Sequence, residues 1–281
     1  SGATTGIRER RISEGADTAE LAAGAAKAAL ENAGVSADDV DLILVATSTP
    51  DHCFPNAACM VQAAIGAERA VAYDISAACS GFLFAVNTAH AFLGSGIYKT
   101  ALVIGADTLS KIVDWSDRST CVLFGDGAGA ALVEWGANYP SLHAVLGCRG
   151  NSEVLYVPGV NTAAPPHVHM DGQSVFRFAV EAVPRCAREV LDRAGLTPED
   201  IDLFVFHQAN QRIIDFAVKK LGIDPARCPG NIERTGNTSA ASVPLLLDEL
   251  VGGGAITSGQ KALCVGFGGG LTWAGALLEL A

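Results

Sequence analysis

Apolar residues recur along this chain in two alternating rhythms. Uninterrupted runs such as Leu42-Ile43-Leu44-Val45-Ala46 and Leu203-Phe204-Val205-Phe206 have the length of strands buried on both faces. Between them lie stretches where small and apolar residues return every three or four positions, the spacing of a helix with one packed stripe. The patterning predicts helix 17–33, strand 41–47, helix 55–65, strand 70–75, helix 79–94, strand 100–106 and strand 128–135. It then predicts strand 142–148, helix 174–194, strand 201–206, helix 210–221, helix 238–251, strand 261–266 and strand 272–279. Strands that alternate with helices imply an α/β fold with parallel sheets covered on both sides. The longest stretch with neither rhythm, 151–172, holds Pro158, Pro165 and Pro166 and is expected to be a loop over the mouth of a site.

The pattern repeats. Leu30-Glu31-Asn32-Ala33-Gly34-Val35 matches Leu191-Asp192-Arg193-Ala194-Gly195-Leu196 in helix end, glycine stop and approach to the next strand, at an offset of 161 residues. The same offset pairs Ala101-Leu102-Val103-Ile104-Gly105 with Ala262-Leu263-Cys264-Val265-Gly266, and Gly129 to Glu134 reads similarly to Gly275 to Glu279. Such a match predicts two copies of one α/β unit, residues 1–140 and 141–281, packed intimately about a pseudo-twofold axis. The second copy opens with Leu142-His143-Ala144-Val145-Leu146 ahead of its first long helix, and nothing comparable precedes Asp17. The first copy is therefore expected to be one strand short, with an empty slot in the middle of its sheet.

Composition narrows the function classes. A chain of 281 residues, 49% hydrophobic and with 31 glycines, can bury a large core. Its net charge of −11 argues against nucleic acid or an anionic membrane as the main partner. No run of apolar residues is long enough to span a bilayer, and Ser1 to Gly6 does not have the pattern of a signal peptide. Eight cysteines without compact spacing fit a reducing, cytoplasmic setting.

Three segments carry candidate chemistry. Cys79 lies in Ile75-Ser76-Ala77-Ala78-Cys79-Ser80-Gly81-Phe82, where a strand pattern passes through small residues into a helical run. A thiol at a helix N-terminus meets unpaired N–H groups and the positive dipole end, which is expected to lower its pKa and make it a nucleophile. A cysteine used only for packing is the alternative. His207 falls at the C-terminal end of the strand Phe204-Val205-Phe206, the sheet edge where ligand crevices form, as a hydrogen-bond donor, a base, or a satisfied core histidine. Asn237, in Gly236-Asn237-Thr238-Ser239-Ala240-Ala241-Ser242, is a neutral amide donor or a helix cap. Two glycine runs complete the set. Gly125-Asp126-Gly127-Ala128-Gly129 leads into a strand and so fails the context of a dinucleotide loop. Gly268-Gly269-Gly270 has no side chains to block a backbone N–H and could stabilise an oxyanion. His167 and His169 lack cysteines at metal-ligand spacing, so no metal site is expected.

At these residues the chain resembles the β-ketoacyl-acyl-carrier-protein synthase III enzymes of the thiolase superfamily. The resemblance runs end to end through Thr5-Gly6-Ile7-Arg8-Glu9-Arg10, Ala77-Ala78-Cys79-Ser80-Gly81-Phe82, Phe124-Gly125-Asp126-Gly127-Ala128-Gly129-Ala130, His207-Gln208-Ala209-Asn210, Gly236 to Ser242 and Phe267-Gly268-Gly269-Gly270. It implies a thiolase-like five-layered αβαβα fold, homodimers, and a catalytic set of Cys79, His207 and Asn237. The implied reaction loads a short acyl group from acyl-CoA onto Cys79, with the backbone N–H groups of Cys79 and Gly269 as oxyanion hole, and condenses it with malonyl-acyl carrier protein. No resident cofactor is implied, because CoA thioesters are substrates. The resemblance further assigns Arg118 and Asn210 to the CoA and pantetheine channel and Phe54 to the partner's acyl pocket. It departs at Thr4, where the family carries arginine, and in having no upstream tryptophan for the CoA adenine. A related acyltransferase or condensing enzyme of secondary metabolism is the alternative of the same fold, and a non-catalytic carrier-binding partner that of another class. An acidic carrier protein needs a basic surface, and Arg212, Lys219 and Lys220 on helix 210–221, with Arg177, Arg185 and Arg188 on the preceding long helix, are expected to supply it.

Overall fold

A computed structural model of the chain describes residues 2–136 and 142–281, so the expected boundary between residues 140 and 141 lies outside the described residues. The helices are α1 (Gly2–Thr5), α2 (Thr18–Ala33), α3 (Ala57–Ile65), α4 (Gly81–Gly94), α5 (Gly172–Ala194), α6 (Gln211–Leu221), α7 (Ile232–Thr235) and α8 (Ser242–Gly252). The strands are β1 (Leu42–Ala46), β2 (Val71–Ile75), β3 (Thr100–Thr108), β4 (Asp126–Glu134), β5 (His143–Asn151), β6 (Leu155–Tyr156), β7 (His169–Met170), β8 (Leu203–Phe206), β9 (Lys261–Gly268) and β10 (Gly270–Glu279).

Two sheets dominate, in the orders β2-β1-β3-β4 and β5-β10-β9-β8. In the first, β1 runs parallel to β2 and β3 while β4 is antiparallel to β3; in the second, β8 runs parallel to β9 while β10 is antiparallel to β9 and β5. Both faces of each sheet are covered. Leu42, Leu44 and Ala46 of β1 point into a cluster with Phe82 and Val86 of α4, Val243 and Leu246 of α8, and Val205 and Cys264 of the second sheet. Ile43 and Val45 point the other way, onto Ala22 and Ala26 of α2 and Val61 of α3. Phe204, Leu263 and Val265 likewise face Ala187 of α5 and Ile213 of α6. The outcome is five layers, α2/α3, sheet, α4/α8, sheet, α5/α6, in agreement with the αβαβα expectation.

The duplication is visible in detail. Helix α2 stops at Gly34 (φ 65), whose N–H bonds to Glu31 and Leu30 carbonyls, and α5 stops at Gly195 (φ 67), bonded to Asp192 and Leu191. Every predicted element is present. The largest shifts are at the start of α8, which like α4 is preceded by a single 3-10 turn, Ser239–Ala241 and Ala78–Ser80 respectively, and at the end of β5, which runs three residues beyond the expected strand. Segment 151–172 is not wholly irregular: β6 and β7 pair antiparallel within it. The expected empty slot in the middle of the first sheet is also corrected, since β2, β1, β3 and β4 pair without interruption. The difference from the second sheet falls at the margin, where β10 has β5 on its outer side and β4, among the described residues, pairs with β3 alone.

Candidate active site

Cys79 sits on the 3-10 turn that opens α4, the position its sequence context predicts. Strand β9 crosses directly behind it. A Cβ on Gly268 would lie 2.8 Å from the Cys79 nitrogen and 2.9 Å from its Cβ, so only glycine permits this approach. Thr272 ties the following turn to the same place, its Oγ1 donating to the carbonyl of Ala77 at 3.2 Å and lying 3.0 Å from Ser80 Oγ. The expected lowering of the thiol pKa is overturned. Although Cys79 keeps some solvent exposure, enough protein surrounds it that burial pushes the thiol up to about 12, so the resting group is a thiol. The helix N-terminus then acts on the anion only as it forms. Cys53 and Cys148 are the exposed cysteines, and burial likewise pushes Cys186, Cys228 and Cys264 up to about 12.

His207 terminates β8 and is 1% exposed. Its backbone N–H donates to Val265 at 2.8 Å, and its ring meets Phe267 edge-on with centroids 5.1 Å apart. Burial pushes the imidazole down to about 3, so it is neutral at physiological pH, and Nδ1 has no protein partner. A neutral, water-excluded imidazole suits hydrogen-bond donation better than proton abstraction.

Asn237 is not a helix cap. Its backbone bridges to Phe124, accepting from Gly125 N–H and donating to Leu123, while its Oδ1 accepts the Ser239 N–H at 2.8 Å. With Oδ1 held in this way, the amide nitrogen is the part of the side chain that can donate. Ser239 joins this group to the thiol: Cys79 Sγ donates to Ser239 Oγ at 3.4 Å. Ser239 thus touches both Cys79 and Asn237, and β9 touches Cys79 at Gly268 and His207 at Phe267, with no direct hydrogen bond among the three. Sequence reasoning missed Ser239 and Asp107. A charged residue ending the apolar run of β3 was the available signal for Asp107, which is wholly buried. Among the described residues no cluster of three or more His, Cys, Asp or Glu could hold a metal ion, and His169 stacks on Tyr156 at 4.7 Å.

Two family models match, 3-oxoacyl-[acyl-carrier-protein (ACP)] synthase III over residues 73–150 and its C-terminal counterpart over 191–280. A β-ketoacyl-[acyl-carrier-protein] synthase III from Clostridium acetobutylicum is 46% identical over 285 residues, 98% of this chain and 88% of the relative. The chain belongs to the 3-oxoacyl-[acyl-carrier-protein] synthase III family. It is an acyltransferase of the ketosynthase type. Among solved structures, 3-oxoacyl-[acyl-carrier-protein] synthase III from Aquifex aeolicus VF5 superposes with a TM-score of 0.94 at 43% identity, covering 99% of this chain and 89% of that one. The priming β-ketosynthase of the R1128 polyketide pathway superposes at 0.93 with 41% identity, covering 98% and 86%.

The remaining residues singled out in the sequence sit on turns, helix caps and exposed helix faces. Gly269 forms the β9–β10 turn beside Ala78, which suits a backbone donor next to Cys79. Arg118 is exposed on the segment between β3 and β4. Asn210 caps α6, with Oδ1 accepting the Arg212 N–H at 2.9 Å, so its oxygen is engaged. Phe54 is 87% exposed. Arg177, Arg212, Lys219 and Lys220 are all exposed, Arg212 lying over the Phe176 ring. Arg185 and Arg188 are already engaged, the first with Glu181 and Trp273, the second with the Lys220 carbonyl at the end of α6.

Proposed function

We propose that this chain joins a short acyl group, taken from acyl-CoA, to malonyl-acyl carrier protein by decarboxylative Claisen condensation, releasing CO₂ and 3-oxoacyl-acyl carrier protein, the opening step of fatty acid synthesis. The observation that carries the reading is the pairing of a thiol on a helix-opening turn with two neutral donors, His207 and Asn237. Cys79 sulfur attacks the acyl thioester, the backbone N–H groups of Cys79 and Gly269 hold the developing oxyanion, and CoA leaves. The malonyl thioester then places its carbonyl oxygen between His207 and Asn237. Loss of CO₂ puts negative charge on that oxygen, and the resulting enolate carbon attacks acyl-Cys79. Burial supports this division of labour, because His207 stays uncharged at working pH and Asn237 cannot ionise. Neither donor competes with the thiol for a proton.

Arg118 and the amide nitrogen of Asn210 flank the pantetheine and nucleotide path in this reading. Phe54 enters the acyl pocket of a second copy, and the free edge of β2, with Val71 46% exposed, is where two first-half sheets would join. Arg177, Arg212, Lys219 and Lys220 receive the acidic carrier protein. The halves 1–140 and 141–281 act as one catalytic unit, since each contributes to the site. No resident cofactor takes part, and eight unpaired cysteines suit a cytoplasmic enzyme. Intact mass spectrometry after incubation with a panel of acyl-CoAs tests the reading: one acyl group should appear, on Cys79, and leave on addition of malonyl-carrier protein. An enzyme that stays unmodified with every acyl-CoA sinks it.

A further inference from the structure

An oxyanion hole made of the Cys79 and Gly269 N–H groups works only if the two donors keep a fixed separation and aim. They come from different halves of the chain. Cys79 N–H sits within the turn Ala77 to Ser80, which the Ser80 N–H closes on the Ala77 carbonyl at 3.1 Å, while Gly269 N–H sits in the turn between β9 and β10. Among the described residues no backbone hydrogen bond joins these two turns.

A side chain makes the connection instead. Thr272 pairs across the ladder with Gly268, the glycine that passes against the Cys79 nitrogen, and so its hydroxyl is brought beneath the Cys79 turn. Its Oγ1 lies 3.2 Å from the Ala77 carbonyl, 3.0 Å from Ser80 Oγ and 3.1 Å from the Gly269 carbonyl. A hydroxyl carries one hydrogen, so the three acceptors share it and hold the oxygen at a common point between them. Ala77 and Ser80 are the two ends of the turn around Cys79, and Gly269 is the other donor's own residue. One oxygen therefore touches everything that sets the hole. Ser80 and Thr272 are both buried, where water does not compete for these contacts. The methyl is engaged as well: a Cβ on Gly270 would lie 2.6 Å from Thr272 Cγ2, so the β9–β10 turn folds down onto it. With a stiff, β-branched side chain engaged on both arms, the hydroxyl has one place to be.

We infer that Thr272 is a positioning residue for the oxyanion hole, its hydroxyl fixing the Cys79 and Gly269 N–H groups relative to each other; this deepens the condensing reading above and rests on it. Two steps of that reading place negative charge on the acyl oxygen at this hole: attack of Cys79 on acyl-CoA, and attack of the enolate carbon on acyl-Cys79. Loss of CO₂ places its charge elsewhere, on the oxygen between His207 and Asn237. Thr272 serves the first two steps and not the third.

Thr272→Val keeps the shape and the branch and removes the hydroxyl. Self-acylation at saturating acyl-CoA should slow by about 10²-fold, the scale of a catalytic group held about 1 Å out of place, while KM for acyl-CoA stays within about threefold. Release of CO₂ from malonyl-carrier protein by enzyme that carries no acyl group should stay within about threefold of wild type. Thr272→Ser keeps the oxygen and loses the methyl, and should restore loading to within about threefold of wild type; Thr272→Ala should be as slow as valine. Should the valine variant not fold, alanine against serine makes the same comparison. Normal loading in Thr272→Val, a serine variant as slow as valine, or equal loss of loading and of CO₂ release overturns the proposal and leaves the condensing reading standing. Wild-type enzyme that takes no acyl group from any acyl-CoA overturns that reading and this proposal with it.

Discussion

The turn that carries Cys79 and the turn that carries Ala240 are counterparts at the 161-residue offset, and their backbones are nearly the same. Ala78 and Ser239 both take a positive φ, 49 and 53, one residue before. Each turn opens a helix of the central layer, and each is crossed by a glycine of the other half's sheet, Gly266 near the Cys79 carbonyl and Gly105 near that of Ala240. The difference comes two residues further along the crossing strand. There β3 places Asp107, whose carboxylate takes the Ala240 N–H, while β9 places Gly268, which has no side chain to offer Cys79. One amide is satisfied by a carboxylate of the crossing strand and the other has no side chain there to satisfy it. The two equivalent turns therefore differ by a carboxylate exchanged for a hydrogen atom, which makes one a support and, in the condensing reading proposed above, frees the other to hold an oxyanion.

Exchanging the glycines tests how far the equivalence goes. A Cβ on Gly105 would lie 2.0 Å from the Ala240 carbonyl oxygen and 2.7 Å from its carbon, atoms that cannot swing aside. Gly105→Ala should cost about 4 kcal/mol or more and lower the melting temperature by roughly 10 °C. Gly268→Ala presses at 2.8 Å on the Cys79 nitrogen, so its main loss should be in loading, by about 10³-fold, with a smaller shift in melting. Calorimetry and acylation measured on both variants decide; a Gly268→Ala enzyme that loads normally would remove Cys79 N–H from the oxyanion hole.

Asn237 has no counterpart role in the first half, and its loss should separate the two chemical steps. Asn237→Ala removes a donor to the malonyl enolate, so decarboxylation should fall by about 10²–10³ while acylation of Cys79 survives. The two rates, followed by CO₂ release and by intact mass, should diverge. A common loss would place Asn237 in the scaffold.

The fold was legible because its signals are local and repeated. The glycine stops at Gly34 and Gly195, and the doubly apolar strands around Leu42 and Leu203, each announce themselves within a dozen residues, and the offset ties them together. Cys79, His207 and Asn237 stood out because strand ends and helix openings are where such side chains do chemistry. Ser239 and Asp107 did not. Serine is common in turns, and the meaning of this one arises from a contact with a thiol 160 residues away in sequence. The thiol's acidity was misjudged for a related reason: a helix N-terminus is visible in sequence, but the burial that outweighs it exists only in the folded chain. The two-residue strands β6 and β7 are too short for any periodicity to show.

His207 and Asp107, both buried, should tilt stability in opposite directions with pH. His207 of the second half is pushed down to about 3, while the unfolded imidazole takes a proton near its ordinary 6.5. Its contribution is present above pH 6.5 and is lost as pH falls toward about 3, at about 1.4 kcal/mol per unit. Asp107 of the first half is raised by burial, so its contribution is present below the unfolded value and lost as pH rises through the folded one. Urea melts of wild type and His207→Gln from about pH 8 to pH 5 should show the acid slope of wild type reduced in the variant. An unchanged slope would mean that His207 is already charged in the folded state.

The smallest effect concerns the outer helices that follow the matched strands β1 and β8. Helix α3 reads Ala57-Ala58-Cys59-Met60-Val61-Gln62-Ala63-Ala64-Ile65, without a charge, whereas α6 carries Arg212, Asp215, Lys219 and Lys220. Packing alone does not demand that difference, since both helices bury an apolar stripe against their sheet. In a chain of net charge −11, exposed cations beginning five residues past His207 suit a surface for an acidic carrier protein. The patch is mixed: Lys220 and Arg188 share a groove between α5 and α6 with Glu181, Glu189 and Phe216, while Lys219 lies on the other side of α6 with Asp215. Single charges at such exposed positions contribute little. Reversing both Arg212 and Lys219 to glutamate should therefore raise KM for malonyl-carrier protein by about tenfold at low salt, and much of the wild-type salt dependence should disappear with them. Self-acylation from acyl-CoA should stay within about twofold, because neither side chain contacts Cys79. Steady-state rates over a salt series with both substrates provide the measurement, and an equal loss with acyl-CoA and with the carrier would make the α6 charges a feature of the scaffold, with the carrier docking elsewhere.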